Sequence, residues 1–242
     1  MLLDSKERLI NNPFNEKKMD FTTLLSEGRR VKTQELSKGR FIVNRSWYAL
    51  PGEREIPIIE KSAARWSGHY SPEMDIARLE FWAEKGLRIP EIALSSRRVK
   101  SKLTKPTLLL SDLSNGGENE VIDFYGEHQD FPCMLMYCRD GSYLERLDNV
   151  KEVKNQLAYA MAQFFAHGHL PTVDHFMVQV TENRGQLYVV DVEYNQPLEE
   201  GDLEKVLKGD EDSHINHCLL YSGIDDTRKI GEKCHEVLRE LL

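Results

Sequence analysis

The chain has 242 residues, 40% hydrophobic, 30% charged and 9% aromatic, a size at which a core holds without disulfides or a structural metal. With 32 Lys and Arg against 40 Asp and Glu, the formal charge of -8 gives no electrostatic reason to expect a nucleic-acid backbone as the main partner. No run approaches the ~20 continuous apolar residues of a membrane span, and the N-terminal stretch with Asp4, Glu7, Asn11 and Asn12 lacks the apolar centre of a secretion signal. A cytoplasmic protein with no integral membrane association is expected. The basic cluster Arg97, Arg98, Lys100, Lys102 and Lys105 is a local candidate for anions. Cys133, Cys138, Cys218 and Cys234 make no pair of CxxC motifs and read as free thiols.

In chain order, β-formers over 30–36 and 40–48 flank Ser37-Lys38-Gly39 and predict a hairpin. A third strand is predicted over 56–61, where Pro57 argues for an edge or a strand start. Ser71-Pro72-Glu73 opens a helix that carries Ile76, Leu79, Trp82 and Ala83 at helical spacing and stops at Gly86. Residues 87–92 predict a return to extended structure, and Thr107-Leu108-Leu109-Leu110 a buried strand ahead of a polar break over 111–119. Val153, Leu157, Ala160, Met161, Phe164 and Phe165 form the apolar face of a helix from about Asn149 to His167. Strands over 175–180 and 186–190 are joined across Glu182-Asn183-Arg184-Gly185, and the rest reads as helices. The expected class is α+β: a strand-rich lobe with one helix over residues 1–112, then a mostly helical lobe with one small hairpin over 113–242.

Chemistry concentrates in the stretch from Ala166-His167-Gly168-His169-Leu170 through Asp174-His175, followed by Asp191-Val192-Glu193. Asp174 immediately precedes the first hairpin strand and Asp191 immediately follows the second, so the spacing puts both carboxylates at one end of the hairpin. Two such groups suit a hard, oxygen-preferring cation such as Mg2+ and the phosphates it carries. Asp191, flush against Leu187-Tyr188-Val189-Val190, loses solvation unless something pairs with it.

In this order the sequence resembles the protein-kinase-like superfamily, and in particular its small bacterial lipopolysaccharide-core kinases and aminoglycoside-type phosphotransferases. Their catalytic loop, H-[RG]-D-L-x-x-x-N, precedes a hairpin ending in D-[FL]-[GDE]. His167-Gly168-His169-Leu170, Asp174 and Asp191-Val192-Glu193 occupy those places, and the likeness covers roughly Arg29 to Leu242. The resemblance implies a two-lobed fold that binds ATP between its lobes. It makes Lys61 the lysine that grips the phosphates and Asp75 its carboxylate partner, with Glu73 and Glu80 as fallbacks. Asp174 and Asp191 become Mg2+ ligands, and His169 the group that orients the acceptor. The hinge whose backbone would meet adenine is either Ser111-Asp112-Leu113 or Met134-Leu135-Met136-Tyr137, the latter followed by Gly141-Ser142-Tyr143-Leu144.

The chain departs from the family pattern at four places. His169 replaces the aspartate, Asp174 the asparagine and Glu193 the glycine of the last motif, and the turn at Gly39 has one glycine. A neutral imidazole accepts protons near pH 7 and an aspartate ligates Mg2+, so phosphoryl transfer stays chemically open. About fifty residues follow Asp191, which suits a sugar or other small-molecule hydroxyl acceptor better than a protein. The same departures motivate an alternative, a pseudokinase-type binding or regulatory module. A third reading takes His167, His169 and Asp174-His175 as a zinc-dependent hydrolase cluster.

Overall fold

The computed structural model describes residues 21–38, 41–63, 71–95, 106–123, 142–172, 175–192, 196–210, 213, 215–216 and 225–242. The chain is mixed α+β and divides into two compact units, Met1–Asn119 and Glu120–Leu242. No helix among the described residues is long and apolar enough to cross a membrane.

The first unit holds α1 (Phe21–Glu27), β1 (Arg29–Lys38), β2 (Phe41–Ala49), β3 (Glu55–Ala63), α2 (Pro72–Glu84), β4 (Ile92–Ser95) and β5 (Thr107–Ser111). Its antiparallel sheet has the order β1-β2-β3-β5-β4. The first two strands form the predicted hairpin, with register shifts between Arg30 and Lys32 and between Glu35 and Ser37. Pro57 lies in a central strand and not at the sheet edge. It is tolerated there because β5 pairing begins only at Ile58, opposite Ser111. Of the stretch predicted as extended, 87–92, only Ile92 joins the sheet, as the first residue of β4.

Ser71 caps α2 by accepting the Met74 N–H, and Pro72 fills the first turn, where no N–H is required. Gly86, at φ 82°, ends it. A second helix in this half, α1, is a correction to the expected single one. Seven residues are too few to hold a helix by local bonds. It forms by burying Phe21 and Leu24 against Tyr48, Ile58 and Leu109 on one sheet face.

The strand period of two puts Ile59 and Lys61, which pair with Leu110 and Leu108, on the opposite face. α2 packs against β4 and β5, burying Leu79 and Trp82. Glu60 therefore points away from Lys61. Its carboxylate is satisfied by the Tyr48 hydroxyl at 2.6 Å and by Arg30 at 3.1 Å.

The second unit contains β6 (Glu120–Asp123), α3 (Ser142–Glu145), α4 (Val150–Ala166), β7 (His169–Leu170), β8 (Phe176–Thr181), β9 (Arg184–Val189), β10 (Gln196–Pro197), α5 (Asp202–Lys208) and α6 (Asp225–Leu241). A three-stranded sheet runs β6-β8-β9, and β7 pairs with β10. β6 lies just past the polar break over 111–119, where no strand is predicted, and pairs with β8. The β8–β9 hairpin turns more tightly than expected, on Glu182 and Asn183 alone, with φ of 51° and 62°. Two successive left-handed residues match the twist of the strands they join.

α4 is central to this unit. It buries Val153, Leu157, Ala160, Met161, Phe164 and Phe165 and packs against α6, β9 and β7. Two of its polar groups serve β9. Asn149, at its N-terminus, accepts the Gly185 N–H at 2.8 Å and donates to the Gly185 carbonyl at 2.9 Å. Gln156 accepts the Leu187 N–H at 2.9 Å. Gly185 has no space for a side chain: a Cβ would lie 2.7 Å from Leu147 Cδ1 and 2.9 Å from both Val153 Cγ2 and Val178 Cγ1. Gly185→Ala is expected to cost about 1–3 kcal/mol through overpacking, read as a lower urea midpoint with unchanged slope.

Along α6, Ile230, Cys234, His235 and Leu238 are buried. Burial pushes the Cys234 thiol up, so it stays protonated. Burial, and then the Arg239 charge, hold the His235 imidazole below its ordinary value of 6.5. Its Nε2 has no hydrogen-bond partner among the described residues. The unfolded chain takes up a proton near pH 6.5 that the folded chain refuses, so this contribution to stability is full above that pH and is lost as pH falls below it. Urea unfolding between pH 7.5 and 5 is expected to show a shallower acid loss in His235→Phe than in the parent.

Candidate functional site

Lys61 sits near the C-terminal end of β3, and the strand alternation turns it toward α2. It is 7% exposed, and its Nζ lies 3.4 Å from Asp75 Oδ2. Asp75, 3% exposed, stands in the first turn of α2, where the aligned peptide dipoles favour a negative charge. The two fallback carboxylates are placed otherwise. Glu80 is exposed, and Glu73 is exposed and accepts from the Ser71 hydroxyl at 2.7 Å, which holds its carboxyl below the usual range.

Two further residues complete this cluster. Arg78 Nη1 is 3.7 Å from Asp75 Oδ1, one helical turn along, and the ring centroid of Phe41, at the start of β2, is 4.8 Å from Lys61 Nζ. Neither is singled out by the sequence reading. The i,i+3 spacing of Asp75 and Arg78 is a usable signal once the helix is known. Phe41 becomes visible only with the β2–β3 register, in which it pairs with Ala63. Two cations, Lys61 and Arg78, approach the one Asp75 carboxylate, and both side-chain types engage oxyanions.

At the end of β5 the three residues of one hinge candidate, Ser111-Asp112-Leu113, are held in different ways. Ser111 exchanges two bonds with Glu91: its N–H donates to the Glu91 carbonyl at 2.8 Å, and its Oγ accepts the Glu91 N–H at 3.0 Å. The Asp112 carboxylate is engaged by its own loop. It lies 2.6 Å from Arg45 Nε and accepts the Ser114 N–H at 3.0 Å, the Ser114 hydroxyl at 2.8 Å and the Gly116 N–H at 3.0 Å. The Leu113 side chain is buried. The other hinge candidate, 134–137, lies outside the described residues, as does Gly141, and Ser142 begins α3.

In the second unit, His167 ends α4 with Nδ1 2.8 Å from the Gln163 carbonyl. His169 is half-buried in β7, opposite Pro197 of β10. Gly168 between them has φ 75° and accepts the Leu198 N–H at 2.9 Å, a left-handed position suited to glycine. His175 is buried, its Nδ1 accepts the Thr172 N–H at 3.0 Å, and its carbonyl accepts the Val190 N–H at 2.9 Å. Asp191 follows Val190 and is half-buried. Its carboxylate is a hard oxygen donor of the kind Mg2+ takes. Asp174 and Glu193 lie outside the described residues, as do the basic cluster at 97–105 and Cys133, Cys138 and Cys218. His167 and His175 are bonded into their own helix end and loop, and among the described residues no three His, Cys, Asp or Glu side chains converge as a metal group.

Comparison with family models, curated proteins and solved structures finds no match to this chain.

Proposed function

We propose that this chain is a cytoplasmic phosphotransferase with a two-lobed kinase-like fold, moving the γ-phosphoryl of ATP to a hydroxyl of a sugar or other small molecule. The observation that carries this reading is the buried Lys61–Asp75 pair at 3.4 Å, joining the third strand to the helix that follows it. Protein kinases place a lysine and a carboxylate on the same two elements and need the pair formed for transfer.

In this reading Lys61 grips the donor phosphates and Asp75 holds Lys61, while the main chain at Ser111, Asp112 and Leu113 meets the adenine. Asp174 and Asp191 would hold Mg2+, which would offset phosphate charge. His169 orients the acceptor hydroxyl and takes its proton as the hydroxyl oxygen bonds to the γ-phosphorus; the bond from that phosphorus to the bridging oxygen breaks, and ADP leaves. His169, standing where the resemblance implies an aspartate, favours the second reading of a binding module that holds nucleotide without turnover.

Thermal unfolding with MgATP tests the first step. Saturation at 100 times Kd is expected to add about 2.7 kcal/mol, and Asp191→Ala is expected to remove that gain. No stabilisation of the parent chain would sink nucleotide binding altogether. ADP release with a panel of hydroxyl compounds then separates a transferase from a binding module.

A further inference from the structure

We propose that His175 is a positioning residue: its Nδ1 fixes Thr172 just after β7, and its main chain fixes the approach to Asp191. As a statement about the catalytic end of the hairpin, this rests on the phosphotransferase reading above.

The ring is 1% exposed and stacks on Phe164, with centroids 4.9 Å apart and planes at 29°. An apolar ring would fill that space without losing the hydration of two nitrogens. What the imidazole adds is an acceptor. The Thr172 N–H points at Nδ1 from 3.0 Å, so Nδ1 carries the lone pair and the ring is neutral with its proton on Nε2. The Thr172 hydroxyl lies 3.2 Å from the same nitrogen.

The main chain of His175 adds two more ties. Its N–H donates to the Thr172 carbonyl at 3.1 Å, and its carbonyl accepts the Val190 N–H at 2.9 Å. One residue therefore closes the loop from Thr172 and anchors the end of the neighbouring strand. The chain neighbour of Val190 is Asp191, so this candidate Mg2+ ligand is one residue from an atom that His175 holds. Supporting residues of this kind, one step behind a metal ligand, typically change affinity about 10–100-fold when replaced.

Two substitutions separate packing from positioning. His175→Phe keeps the ring and loses the acceptor, whereas His175→Asn keeps an acceptor near the Nδ1 position and loses the ring. The Thr172 amide is expected to exchange with solvent deuterium at least about tenfold faster in the Phe variant and near the parent rate in the Asn variant, at a temperature where both are folded. Thermal stability should run the other way, with Asn the less stable. MgATP affinity should follow the exchange order and fall about tenfold or more in His175→Phe. Parent-like exchange at Thr172 in the Phe variant overturns the proposal, as does MgATP affinity that follows thermal stability in place of exchange. If the parent chain binds no MgATP, the phosphotransferase reading fails, and the exchange contrast alone decides whether His175 holds the loop.

Discussion

Asp75→Ala is expected to destabilise the first unit by about 3–5 kcal/mol, the range for removing one member of a buried ion pair, while Lys61→Met is expected to cost less. The asymmetry follows from who is left behind. Without Asp75, a lysine 7% exposed loses the carboxylate 3.4 Å from its Nζ and keeps the Phe41 ring. Without Lys61, Asp75 keeps Arg78 at 3.7 Å, and a methionine of similar length fills the space. Urea unfolding of the two variants measures the difference. Equal losses would mean that Arg78 does not hold the carboxylate. Lys61→Met is also expected to lose stabilisation by MgATP while remaining folded, which separates ligand binding from fold maintenance.

A loss of similar size, about 3–5 kcal/mol, is expected for Asp112→Ala. That carboxylate takes Arg45 together with two backbone N–H groups and one hydroxyl of the loop over 114–116. Arg45 Nη2 also donates to the Ser114 hydroxyl oxygen at 2.7 Å, so removing Asp112 undoes both sides of the loop anchor. Gly116, at φ 76° and close to the Trp47 ring nitrogen, depends on the same anchor. Asp112→Asn keeps an oxygen acceptor and gives up the charge, so its loss should be intermediate. A denaturation midpoint for Asp112→Ala equal to that of the parent would refute the anchoring role. Where the variant is folded, MgATP binding should also weaken, because the main chain of 111–113 is the proposed adenine contact.

Local pattern carried much of the architecture. The first hairpin, the α2 start at Ser71-Pro72, the buried run in β5 and the whole of α4 are written as periodicity and punctuation within a few residues. Elements that form through partners distant in sequence were not legible. Phe21 and Leu24 have no amphipathic length behind them until the sheet face exists, and Gln196–Pro197 becomes a strand because His169–Leu170 is beside it. The same division holds at the site. The lysine, the acidic residues and their collinear order could be read from the chain. Arg45 and Phe41 could not, because their roles depend on cross-strand register, and the one engages Asp112 while the other lies against Lys61.

Asn149 and Gln156 have a consequence for solubility. β9 is the outer strand of its sheet, and an outer strand with unpaired backbone groups is a template for another chain. The side-chain amides of α4 take the Gly185 N–H and carbonyl and the Leu187 N–H, so at those positions the helix replaces a fourth strand. At Gly185 and Leu187 this margin is blocked against strand addition from inside the molecule. Strand-exchange dimers or fibrils growing from β9 would first have to detach the N-terminal half of α4.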